Sequence, residues 1–149
     1  MEELLESIKH NDLVRLGQLL RNGAAVEAVG QSGFNAIHTA IRWNRPDAIT
    51  MLIEMGNTNT NSEDPEENKP LEAAIVQTRP EVIKALVEAA GLDINKKLYD
   101  STPLHRATEL ATNTEASIET IETIIGLGGD VNAVNFSNKT PLYLISATN

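Results

Sequence analysis

A chain of 149 residues, 41% hydrophobic and 22% charged, has the size and composition of one folded domain rather than of a disordered segment. Its formal charge of −9 repels phosphate backbones and disfavours DNA or RNA as a ligand. The absence of cysteine excludes disulfides and thiolate metal sites, and no apolar run approaches the ~20 residues of a membrane-spanning helix.

The start, Met1-Glu2-Glu3, is acidic where a secretion signal would be basic and then apolar, and the end, Ser146-Ala147-Thr148-Asn149, carries no lipidation pattern. A cytoplasmic protein with no membrane partner is expected. The first helix is predicted around Leu4, Leu5 and Ile8, with Glu2, Glu3, Glu6 and Lys9 on its solvated side. It reads as an N-terminal cap, with Met1 close to a true start.

Further along the chain the same pattern recurs. Asn35-Ala36-Ile37-His38-Thr39-Ala40 matches Lys69-Pro70-Leu71-Glu72-Ala73-Ala74, Thr102-Pro103-Leu104-His105-Arg106-Ala107 and Thr140-Pro141-Leu142-Tyr143-Leu144-Ile145. The steps from Ala36 to Pro70, Pro103 and Pro141 are 34, 33 and 38 residues, and Ser7 lies 33 before Ala40. Thr102 and Thr140 can cap a helix whose first position is proline; Asn35 keeps a capping oxygen, and Lys69 has none. Asn11, Asn44 and Thr78 each stand four residues after the small core position, where a left-handed residue ends the helix. Pro46-Asp47 and Pro80-Glu81 then open second helices, which carry the apolar pairs Leu52-Ile53 and Leu86-Val87; Leu19-Leu20 and Ile124-Ile125 match them. The 38-residue step implies five inserted residues near Ala111–Glu115. They are expected to lengthen the first helix of that unit or to bulge between its helices, and to be dispensable. Gly23-Ala24-Ala25-Val26-Glu27-Ala28 and Gly128-Gly129-Asp130-Val131-Asn132-Ala133 form a third recurring block.

The pattern resembles the ankyrin repeat: a Thr-Pro-Leu-His-x-Ala helix start, a Leu-Leu pair and a Gly-Ala-Asp-Val-Asn-Ala turn. The resemblance covers nearly the whole chain. It implies an all-α solenoid of helix–turn–helix units joined by β-hairpin or turn connections. The repeats are expected at about 1–29, 30–62, 63–96 and 97–133, with a partial one at 134–149. Leu142, Leu144 and Ile145 open that last unit with no second helix behind it, so end fraying or self-association through the uncapped C-terminal end is expected.

His38 and His105 occupy the motif histidine, each in its own repeat and with Glu72 and Tyr143 at the matching positions, so structural hydrogen bonding is expected rather than catalysis. Glu63, Asp64, Glu66 and Glu67 flank Pro65 without the ligand spacing of a calcium loop. Asn135-Phe136-Ser137 and Asn138-Lys139-Thr140 fit a glycosylation pattern by chance, given no secretion signal. No phosphate-binding loop, nucleophile elbow or zinc-helix pattern occurs, and no cofactor is implied.

The resemblance also places hairpin tips and the exposed ends of first helices on a concave binding face. On that register Phe34, Tyr99 and Phe136 fall at tips and Trp43 on a first helix, with Arg42, Gln77, Glu109 and Leu110 alongside. The expected function is a non-catalytic protein–protein interaction module that binds a partner protein on this face, biased toward a basic segment by the acids near Pro65. The alternative is the targeting or substrate-recruiting N-terminal part of a larger enzyme or effector.

Overall fold

The computed structural model describes residues 1–112 and 114–147. Among them the helices are α1 (Glu2–Lys9), α2 (Leu13–Arg21), α3 (Ala36–Arg42), α4 (Pro46–Gly56), α5 (Pro70–Val76), α6 (Pro80–Ala90), α7 (Pro103–Glu109), α8 (Glu115–Gly126) and α9 (Pro141–Ala147). Odd-numbered helices pack on one another in sequence, and so do α2, α4, α6 and α8, giving two layers of successive helix pairs. The fold is the expected all-α solenoid. Its connections are turns with one isolated bridge, Leu98 to Ser101, and no strands among the described residues.

The spacing of the apolar residues explains the layers. Ala40 and Ala74 are fully buried and Ala107 nearly so, which lets neighbouring helices approach closely. Ile37, Ile41, Ile49, Leu52, Ile83 and Leu86 are completely buried around them. Each such side chain contributes about 1.5–3 kcal/mol on leaving water. Asn11, Asn44 and Thr78 have φ of 57°, 52° and 51°, so all three end a first helix in the left-handed region. Arg45 Nη2 donates to the Lys9 carbonyl at 2.7 Å and Arg79 Nη2 to the Arg42 carbonyl at 3.4 Å, tying each helix pair to the preceding one. On α1, the hydrogen bond from Lys9 and then the charges of Lys9 and His10 hold the Glu6 carboxyl below its usual range.

Of the two places expected for the insertion, the structure has it between the helices of the unit. The helices α3, α5 and α7 each have seven residues, so the insertion does not lengthen a first helix. It extends the start of α8, which has 12 residues, and the loop before it, of which Asn113 lies outside the described residues. Within the segment Thr114 caps α8 by accepting from the Ser117 amide at 3.3 Å.

After each second helix the chain turns back through a finger. Gly30–Phe34, Asp64–Asn68 and Asn135–Lys139 close with matching pairs of backbone hydrogen bonds, and Leu98–Ser101 closes as a tighter turn. Asp64 is buried; its Oδ1 accepts from the amides of Glu66 and Asn68, both at 2.9 Å. Asn135 Oδ1 does the same for Ser137 and Lys139. Gly33 has a φ of +83°, and a Cβ there would come within 2.8 Å of Pro65 Cγ on the next finger. Glu67 and Asn138 hold the matching place of their fingers at φ 63° and 56°, so it is the close approach of Pro65 that favours glycine at position 33.

Candidate functional site

His105 is fully buried. Its Nε2–H donates to the Lys139 carbonyl at 3.0 Å, and its Nδ1 accepts from the Thr102 amide at 3.3 Å. A carbonyl can only accept, so the Nε2 hydrogen is fixed by its partner. Thr102 Oγ1 in turn caps the His105 amide, completing a reciprocal box. His38 is likewise buried and donates from Nε2 to the Ser62 carbonyl at 3.0 Å. Both imidazoles tie a first helix to the chain leading into or leaving the next finger. They are structural bonds, as the repeat pattern implies. Among the described residues no cluster of His, Asp and Glu could hold a metal ion, and no helix is long and apolar enough to cross a membrane.

None of the five aromatic rings belongs to the buried core. Phe34, Arg42 and Trp43 line one cleft together with Thr39 of α3 and with Glu2 and Leu5 of α1. The Arg42 guanidinium carbon lies 5.0 Å from the centre of the Phe34 ring, a cation–π distance. Trp43 is the residue just past α3 and is 48% exposed. Tyr99 and Phe136 stand at finger tips, 92% and 87% exposed. Their fingers touch, because Asp100 Oδ2 accepts from the Phe136 amide at 2.5 Å and Lys97 Nζ donates to the Val134 carbonyl at 2.6 Å. Gln77 and Leu110 are half-buried residues that follow α5 and α7, and Glu109 is the exposed last residue of α7. Gln77, Glu109 and Leu110 do not line the Trp43 cleft, nor do the two finger-tip rings.

A second cleft, of about 330 Å³, lies outside these residues. It opens between α5, α7 and the chain from Gly91 to Ser101. The two clefts are equivalent in the repeat: Glu2, Leu5 and Thr39 of the first correspond, two repeats on, to Lys69, Glu72 and Arg106 of the second. Leu5 and Glu72 stand at the motif-histidine position. Where that position is histidine, the imidazole is buried and donates to a carbonyl of the following chain, Ser62 for His38 and Lys139 for His105. The sequence carried the signal for this cleft, the replacement of histidine by Glu72, but its consequence requires the packed structure.

The family model for ankyrin repeats (3 copies) matches residues 4–98. Neurogenic locus notch homolog protein 1 of Xenopus laevis is 29% identical over 93% of this chain, and that of Danio rerio 32% identical over 80%. Neurogenic locus notch homolog protein 2 of Homo sapiens is 30% identical over 88%. In each case the match spans 5% of the relative's own length. With the helix pairs, the left-handed turns and the histidine ties already described, these matches show that the chain belongs to the ankyrin-repeat family, whose repeats are protein–protein interaction modules.

Proposed function

We propose that the chain is a non-catalytic module that binds a partner protein on the concave face formed by its fingers and first-helix ends. Trp43 is the principal anchor, and Phe34, Arg42, Gln77, Tyr99, Glu109, Leu110 and Phe136 contribute around it. The observation that carries this reading is the grouping of Trp43, Phe34 and Arg42 in one cleft while the core holds no aromatic ring. A fold with so few rings gains nothing in stability from leaving them in water, whereas exposed Trp, Tyr and Arg are the residues that anchor interfaces. Exposed Glu63, Glu66 and Glu67 on the second finger favour a basic segment in the partner at that end. Absence of cysteine supports a cytoplasmic site of action.

The test is affinity purification of the partner with wild-type chain, followed by titration of that partner against Trp43→Ala. Affinity should fall at least ~30-fold, about 2 kcal/mol, with the melting temperature little changed. An unchanged affinity in a destabilised protein would make Trp43 a packing residue and end the concave-face reading. The short span of the match within long relatives favours a second reading, in which these repeats recruit substrates or partners for a larger enzyme or effector. A catalytic motif in the reading frame beyond Asn149 would decide for it.

A further inference from the structure

The cleft at Glu72 has a character opposite to that of the chain. The protein carries −9 overall, yet Lys69, Lys96, Lys97 and Arg106 line this cleft against two carboxylates, Glu72 and Asp93. Leu71, Ile75 and Leu98 supply an apolar lining. Lys97 is already engaged with the Val134 carbonyl. The ammonium groups of Lys69 and Lys96 have no hydrogen bond or ion pair among the described residues. The Nε of Arg106 is buried without a partner, and its Nη1 reaches Glu109 only at 3.6 Å. The Arg106 side chain is 40% exposed, so its guanidinium can meet an incoming carboxylate. The volume of about 330 Å³ is at the floor of the ~300–1,000 Å³ range of small-molecule pockets, which suits one or two side chains better than a cofactor.

We propose that this cleft receives a short acidic stretch of a partner protein bearing one large apolar side chain. The apolar side chain packs on Leu71, Ile75 and Leu98, and the flanking carboxylates meet Lys69, Lys96 and Arg106. The inference rests on the reading of the chain as a protein-binding module. It adds a second contact, distinct from the Trp43 cleft and of opposite charge preference to the second finger. Glu72 lines the cleft at the place where His38 and His105 each bind a carbonyl of the chain that follows.

The test uses the full 149-residue chain and a phage-displayed library of random twelve-residue peptides. Selection runs in parallel on wild type, on Glu72→His and on the rim double variant Lys69→Glu/Lys96→Glu. Peptides enriched on wild type should combine an aliphatic or aromatic residue with neighbouring Asp or Glu. They should bind either variant at least ~10-fold more weakly while thermal melting shows both variants folded. If Glu72→His does not fold, the rim variant decides alone. Enriched peptides that are basic or uncharged, or that bind both variants as well as wild type, overturn the proposal. So does displacement of the peptides by octanoate at equal concentration, which would make the occupant a small amphiphile. Peptides lost with Trp43→Ala but unaffected by Glu72→His remove this cleft and leave the Trp43 anchor standing. Peptides with the reverse sensitivity are the expected result, since the two clefts share no lining residue.

Discussion

Lys69 stands where a helix cap belongs. Its backbone, φ −74° and ψ 159°, is that of Thr102, φ −74° and ψ 163°, and proline follows both. Thr102 satisfies an orphan amide of α7 through its hydroxyl, whereas α5 has no side-chain cap. Glu72 already stands at the third helical position, where a carboxylate completes a capping box with threonine. Lys69→Thr is therefore expected to raise stability by about 1 kcal/mol, read from the midpoint of urea unfolding at unchanged slope. An unchanged or lowered midpoint would mean that the amides of this helix start are satisfied by water at no cost. The missing hydroxyl at position 69 is legible in the sequence because capping is local. The left-handed turns at Asn11, Asn44 and Thr78 are legible for the same reason. What Glu72 leaves open is not, because the space depends on the chain from Gly91 to Ser101 closing over α5.

At the scale of one element, the insertion before α8 shows how a repeat absorbs extra residues. The first helix keeps its length and buried face, and Ile124 takes the fully buried place of Leu52 and Leu86. Three hydroxyls organise the entry: Thr112 Oγ1 lies 3.2 Å from Ser117 Oγ, and Thr114 Oγ1 lies 3.0 Å from the same atom. Ser117 is buried in this cluster. Thr114→Ala is expected to cost about 1 kcal/mol, the ordinary value of a lost cap, whereas Thr114→Ser should be close to neutral. Chemical denaturation of both variants checks this; equal stability of Ala and Ser would show that the cap contributes nothing. The size of the insertion follows from sequence periodicity, since Ile124 and Ile125 return in phase. Where the residues go does not, because lengthening either helix fits the same spacing, and burial of Ser117 appears only once α8 is in place.

At the scale of the whole molecule, the main contacts of each helix pair among the described residues are with its neighbours, so stability is close to a sum of nearest-neighbour terms. Interior α7 packs against α5, α8 and α9, whereas α9 packs against α7. Leu142 is 72% and Tyr143 49% exposed, and the ammonium of Lys139 covers the Tyr143 ring at 3.7 Å. The start of α9 shares two backbone-amide bonds with that of α7, adds one from the Tyr143 amide to the Thr140 carbonyl at 3.1 Å, and lacks the His105 side of the capping box. The Leu144 amide reaches the Thr140 carbonyl at 3.4 Å, as the Arg106 amide reaches that of Thr102 at 3.1 Å. The amides of Tyr143 and His105 also meet the capping hydroxyls of Thr140 and Thr102 at 3.4 and 3.3 Å. Faster exchange at Tyr143 in spite of its additional bond therefore points to packing. Tyr143 and Leu144 are expected to exchange at least ~10-fold faster than His105 and Arg106 in dilute monomer, about 1.4 kcal/mol less protection. Self-association through this end would cover Leu142 and slow that exchange as concentration rises. Equal, concentration-independent protection in a sample shown to be monomeric would mean that one helix neighbour holds α9 as firmly as three hold α7, and that the open end of the stack is neither frayed nor adhesive.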